Sequence, residues 1–61
     1  MTRFNLTIET RNSAFDPEEG GAHSEIARIL HELADRLADG SETSGGLYDF
    51  NGNRVGNWKL S

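Results

Sequence analysis

AHSEIARILHELADRLAD, residues 22–39, is the stretch whose reading decides the fold. At 100° per residue, Ala22, Ile26, Ile29, Leu30, Leu33 and Leu37 fall within one stripe roughly 100° wide, the pattern of a surface helix that packs on a sheet. Gly40 stands where a left-handed C-cap would close that helix, and 41–46 (SETSGG) read as a polar loop. Upstream, 2–11 (TRFNLTIETR) alternate with period two. Phe4, Leu6 and Ile8 point one way and Arg3, Asn5, Thr7, Glu9 and Arg11 the other, which predicts a strand with one buried face. Between strand and helix, Asp16-Pro17-Glu18-Glu19 has the chemistry of a helix start, with Asp as N-cap and Pro at the first position. Gly20-Gly21 argues against its continuation, because each Gly costs about 1 kcal/mol inside a helix. A short turn is expected there, with Phe15 pinning the connection to the core.

Downstream, 47–60 predict a hairpin whose turn is Asn51-Gly52-Asn53, the strongest short-range hairpin signal. Val55 lies on the opposite parity from Trp58 and Leu60, so one regular strand cannot bury all three. A β-bulge at Gly56 would reconcile them. The expected architecture is α+β: a single βαββ domain over 1–61, with a strand at about 2–11, a helix at about 22–39 and a hairpin at about 47–60. A right-handed crossover makes the first two strands parallel and lets the third slot between them, giving a three-stranded sheet of order 1-3-2 with one amphipathic helix packed on one face. The face bearing Arg3, Asn5, Thr7 and Glu9 is then open to water.

A chain of 61 residues without Cys has neither disulfide nor thiolate metal site to supplement a small core. Domains of this size hold on the order of 3–5 kcal/mol of stability. No apolar run approaches the roughly 20 residues that cross a bilayer, and no signal-peptide core follows Met1, so the cytosol is the expected location.

The charge is uneven. From Asp16 to Glu42 there are eight acids against two bases, a local charge of −6, while the remainder carries four bases and two acids, +2. Such polarity repels nucleic acid across the acidic side and attracts basic surfaces, so direct DNA or RNA binding is not expected. Glu25, Glu32 and Asp39 recur every seven residues with Asp35 beside them, on the helix side expected to face away from the core. Their spacing along the axis is about 10.5 Å. Glu18 extends the spacing into the preceding turn, next to Glu19. Arg28–Glu32 and Glu32–Arg36 spacings would neutralise part of the row. One interpretation is a solvated face that maintains solubility. The sharper one is a row of carboxylates imitating phosphates toward a basic protein groove, which makes Glu18, Glu19, Glu25, Glu32, Asp35 and Asp39 the candidate partner-binding residues.

Catalytic and metal chemistry find little support. His31 and Asp35 are four apart, but two ligands do not make a metal site. His23 falls at the edge of the apolar stripe. Ser41 and Ser44 sit in a polar loop without a neighbouring base. Asp49 to Asn53 faintly suggests a calcium loop, but its Gly is fourth instead of sixth and the twelfth position is Leu60. No phosphate-cradling glycine motif is present. No enzyme activity, cofactor or metal is expected. Of Phe4, Phe15, Tyr48, Phe50 and Trp58, three or four should be core, and any of Tyr48, Phe50 and Trp58 that points outward is a candidate interface anchor.

The opening strand Phe4 to Thr10, Asn12-x-Ala14-Phe15, the Ile26-Ala27-Arg28-Ile29-Leu30 helix and the closing Asp49-x-Asn51-Gly52-Asn53-x-Val55-Gly56-x-Trp58 carry a resemblance over most of the chain. The sequence resembles short acidic proteins encoded in phages and prophages of proteobacteria, and among these an anti-CRISPR protein directed against type I-C systems. The resemblance implies a monomeric inhibitor in the host bacterial cytoplasm that binds the Cas8 subunit of Cascade and blocks target-DNA recognition by DNA mimicry. It transfers no binding residue one for one, and the candidate acids come from charge geometry alone. The alternative is a small phage structural or accessory protein that self-associates through its open sheet face or an edge strand.

Overall fold

A computed structural model describes residues 2–61, with the side chain of Glu19 outside the description. Strand β1 (Phe4–Ile8) leads through two 3-10 turns, Ser13–Phe15 and Pro17–Glu19, into helix α1 (Gly21–Asp39). Strands β2 (Ser44–Tyr48) and β3 (Arg54–Leu60) follow. The sheet order is β1-β3-β2, with β3 antiparallel to both neighbours and β1 therefore parallel to β2, as the pattern predicts.

Each boundary has a local cause. Regular β1 is shorter than 2–11, although backbone hydrogen bonds continue beyond it, from Arg3 to Ser61 and from Glu9 to the Val55 carbonyl. The Asp16 side chain makes no capping bond; its carbonyl accepts from the Gly21 N–H at 3.0 Å. The helix begins at Gly21, one residue early, and closes at Gly40, whose N–H returns to the Leu37 carbonyl.

Strand β2 corrects the expectation of a loop through Gly46. Ser44-Gly45-Gly46 has weak strand propensity, yet it pairs with Lys59, Trp58 and Asn57. A Cβ at Gly45 would run into the Arg36 guanidinium and lie 2.9 Å from Trp58 Nε1. The absent side chain lets Arg36 pass over the strand to sit 5.9 Å from the centre of the Trp58 ring, within cation–π range. Trp58 Nε1 is buried without an acceptor among the described residues.

The hairpin turn is centred one residue before its expected position. Asp49 N–H bonds the Asn53 carbonyl, so the loop is Phe50-Asn51-Gly52, and Gly52 takes the left-handed conformation (φ 84°). That is the usual form of a three-residue hairpin loop, in which only the last residue needs positive φ. Register then slips. Leu47 opposes Gly56, but Tyr48 opposes Arg54, leaving Val55, one residue before the expected Gly56, as the extra residue of a bulge. The bulge places Val55 and Trp58 in the core together despite their opposite parity.

Ala14, Phe15, Ile29, Leu33, Leu47, Val55 and Trp58 form that core, with Leu6, Ile8, Ala22, Ile26 and Leu37 packed around it. Full burial of a large apolar side chain is worth about 1.5–3 kcal/mol. Two expectations fail here. Leu30 belongs to the sequence stripe yet is 42% exposed, and of the five aromatics only Phe15 and Trp58 are buried. The apolar stripe is wider than the sheet surface beneath it, so its outer flank stays wet.

Gly56 is the tightest position of the sheet. A Cβ there would fall on the Thr7 carbonyl oxygen and lie 2.9 Å from the Thr7 carbonyl carbon, both rigid backbone of β1. The substitution Gly56→Ala should therefore force β1 off β3 and cost about 2–3 kcal/mol, read as a large fall in the urea midpoint. Gly21→Ala should cost less, since no atom lies within 4 Å of a Cβ there and its penalty is confined to the positive φ.

Candidate partner-binding surface

The polar groups of the molecule sort into a buried latch and an exposed row. The latch starts from Asp49, which is 4% exposed at the mouth of the hairpin. Its Oδ1 accepts the N–H groups of Asn51 and Asn53, both at 2.9 Å. Its Oδ2 accepts Nδ2 of Asn12 at 2.8 Å and Nδ2 of Asn53 at 3.3 Å. Asn12 also accepts the Ala14 N–H at 2.9 Å, so one amide ties the turn carrying Phe15 to the hairpin 37 residues away. Burial pushes the Asp49 carboxyl up, but the Asn53 N–H and the Asn12 and Asn53 amides outweigh it and hold the group below its ordinary value. The segment that faintly suggested a calcium loop is a turn whose carboxylate is used by its own backbone.

Glu25 is the second member of the latch, and here the structure corrects the sequence expectation. It is 4% exposed and does not belong to an outward carboxylate row. Arg28 grips it with Nε at 2.8 Å and Nη2 at 2.7 Å, and the Phe50 N–H donates to Oε2 at 2.9 Å. These bonds have a helical cause: Glu25 lies only about 40° around the axis from Ile29, at the margin of the core stripe, where it meets the hairpin turn. The Arg28 hydrogen bond draws the Glu25 carboxyl below its ordinary value, burial opposes this, and the Phe50 N–H adds to the lowering. The same pairing raises the Arg28 guanidinium.

What remains outside is the row Glu32, Asp35 and Asp39, all exposed on α1. Glu32 pairs with Arg28 at 3.0 Å as the spacing predicts. The expected Glu32–Arg36 pair does not form; Arg36 turns to Glu42 at 3.3 Å and donates to the Gly46 carbonyl at 3.0 Å. Asp39 accepts from the Ser41 hydroxyl. Asp35 makes no ion pair among the described residues. Glu18 is exposed in the 3-10 turn before α1, and the Glu19 side chain lies outside the described residues. The structure thus gathers Glu32, Asp35 and Asp39, adds Glu42 through Arg36, separates Glu18 from them and removes Glu25. Glu42 carried a weak signal, an acid just beyond the helix end and six residues after Arg36.

The far side of the sheet has the opposite character. Arg3, Asn5, Thr7, Asn57, Lys59, Tyr48 and Arg54 are exposed there, as expected for an open face. A shallow depression of about 380 Å³ is lined by Ser44, Gly46, Arg54, Asn57 and Lys59 among others. Tyr48 and Phe50 are the exposed pair among the three candidate interface aromatics; Trp58 is 1% exposed. Among the described residues no three His, Asp or Glu side chains converge as a metal site, and no helix is long and apolar enough to cross a membrane.

Compared with protein-family models, curated proteins and solved structures, the chain matches none.

Both latch carboxyls have a lower pKa in the folded chain than in the unfolded one, so the unfolded chain takes up protons first as pH falls. Stability from these groups is complete at neutral pH and should decline below the ordinary values of 4.5 for Glu25 and 3.8 for Asp49. Urea unfolding as a function of pH reads this directly. Glu25→Ala should cost about 2–3 kcal/mol by leaving Arg28 half-buried without its main partner. Asp35→Ala, which removes an exposed and unpaired carboxylate, should stay within about 0.5 kcal/mol of wild type.

Proposed function

We propose that this chain is a non-enzymatic acidic binding protein: a phage anti-defence inhibitor of the anti-CRISPR kind, acting in the host bacterial cytoplasm. It binds a basic DNA-recognition surface of a Cascade subunit and blocks target DNA by occupying the place of phosphates. The resemblance in its sequence makes the Cas8 subunit of type I-C Cascade the partner to test first. The observation that carries the proposal is the exposed carboxylate flank Glu32-Asp35-Asp39 with Glu42 beyond it. Its members are set by one rigid helix, with Glu32 and Asp39 about 10.5 Å apart along the axis.

The segregation of charge supports the same conclusion. The acidic flank lies on the helix layer and the cations Arg3, Arg54 and Lys59 on the open face of the sheet. The molecule is 17–18 Å across its shorter dimensions, well beyond the Debye length of about 8 Å at physiological salt. Each face therefore presents its own sign to a partner, and the helix layer attracts basic surfaces. Two of the carboxylates are partly neutralised, Glu32 by Arg28 and Glu42 by Arg36. That leaves Asp35 and Asp39 as the strongest sources of negative potential.

The double substitution Glu32→Lys with Asp35→Lys tests the proposal. Circular dichroism should be unchanged and the urea midpoint should fall only slightly, since both residues are exposed and the Glu32–Arg28 pair that is lost is a surface one. Capture of purified type I-C Cascade, and protection of that complex from target DNA, should be lost. Wild-type capture should also weaken steeply between low and physiological salt. Undiminished inhibition by the double variant would rule out the carboxylate flank as the binding surface.

A further inference from the structure

The two edges of the sheet are treated differently. In an antiparallel ladder, residues alternate between pointing their N–H and C=O groups at the neighbour and away from it. Along β2 the outward carbonyls are those of Ser44, Gly46 and Tyr48, and the last two are occupied, Gly46 by Arg36 and Tyr48 by Arg28 at 3.1 Å. The helix arginines therefore obstruct most of this edge against another strand. Along β1, Arg3 exchanges both bonds with Ser61 and Glu9 donates to Val55. The backbone groups of Arg3, Asn5, Thr7 and Glu9 consequently face β3, while those of Phe4, Leu6 and Ile8 face outward. Among the described residues no hydrogen bond reaches these outward groups, and neither Pro nor Lys lies in β1 to protect them, as sheet edges usually require.

The same edge carries uncovered apolar surface. Phe4 is 45% exposed, and Leu60, its cross-strand partner, 38%. Leu30 lies about 120–140° around the helix from Arg36 and Glu25. Those two residues attach to β2 and the hairpin turn, so Leu30 belongs to the helix flank turned away from β2.

We propose that β1 pairs with β1 of a second copy, antiparallel and centred on Leu6, to make a continuous six-stranded sheet. The occupant is argued from the sequence of the strand itself. About that centre Leu6 meets Leu6, Phe4 meets Ile8 of the second copy, Asn5 meets Thr7, and Arg3 meets Glu9. The residues whose backbone groups face outward, Phe4, Leu6 and Ile8, are those that this register turns into hydrogen-bonded pairs. Arg3 and Glu9 become non-hydrogen-bonded pairs, in which side chains approach most closely. Opposite charges and aromatic–β-branched pairs are the favourable cross-strand combinations. The weak exposed contact between Glu9 and Arg11, at 3.4 Å, is the one ion pair of the isolated chain that the arrangement replaces. A two-fold axis perpendicular to the sheet keeps both helices on one face, with Phe4 and the Leu30 flank of each copy turned toward the seam. The carboxylate flanks remain at the two outer ends, so the dimer leaves the proposed binding surface free, although it departs from the monomer that the resemblance implies.

The test uses the purified chain alone, from micromolar to millimolar concentration, by sedimentation equilibrium and light scattering. The expected species has twice the 6.7 kDa mass of the chain. Arg3→Glu and Glu9→Arg each create two like-charge pairs and should weaken the dimer on the order of tenfold. Combining them restores opposite charges and should recover the wild-type constant. Circular dichroism checks that each variant is folded. A monomer at millimolar concentration, an assembly larger than a dimer, or a dimer indifferent to Arg3→Glu would overturn the proposal. Failure of the double variant to recover association would overturn the register.

Discussion

Two buried carboxylates at the mouth of the hairpin organise this domain. Asp49 closes the turn on its own backbone and, through Asn12, holds the segment that delivers Ala14 and Phe15 to the core. Glu25 takes the Phe50 N–H and so fixes the helix to the same turn. A charge removed from water is costly unless every lone pair is used, and here N–H donors from the turn, the Asn12 amide and the Arg28 guanidinium supply the partners. Removing either carboxylate would leave several donors without acceptors in a domain whose total stability is a few kcal/mol. The turn at Asn12, helix α1 and the hairpin meet at this latch.

The arginines of α1 show how a small chain uses one side chain for several purposes. Arg28 neutralises Glu25, pairs with Glu32 and occupies the Tyr48 carbonyl. Arg36 spans Trp58, Glu42 and the Gly46 carbonyl. Both reach toward β2, and this side of the molecule becomes polar, largely capped and acidic outside. The opposite side, at β1, keeps exposed Phe4 beside Leu60 and an unprotected strand edge. The asymmetry follows from where the two guanidinium groups are spent.

Charge counted along the chain and charge presented to a partner are different quantities. The acidic segment contains eight carboxylates, but one of them is consumed by the fold and two others are held in ion pairs with helix arginines. Asn12, Phe15, Asp49, Gly52, Val55 and Trp58 build the latch, the turn and the core. They account for the shape of the domain.

The element order and the sheet order were legible in the sequence because they rest on periodicity and chirality, which are local. An alternating strand, a 3.6-period stripe, an Asn-Gly turn and a right-handed crossover leave few other arrangements. The bulge, too, was visible as a conflict of parity between Val55 and Trp58. Tertiary structure decided what depends on a neighbour distant in the chain. Ser44-Gly45-Gly46 has the composition of a loop and became a strand by pairing with Lys59, Trp58 and Asn57 of β3, with Gly45 leaving room for Arg36 and Trp58. Glu25 shares the heptad spacing of Glu32 and Asp39, but the free N–H of Phe50, 25 residues away, drew it inside. Periodicity places a side chain on a face of its helix; only the packed neighbour determines whether that face is wet.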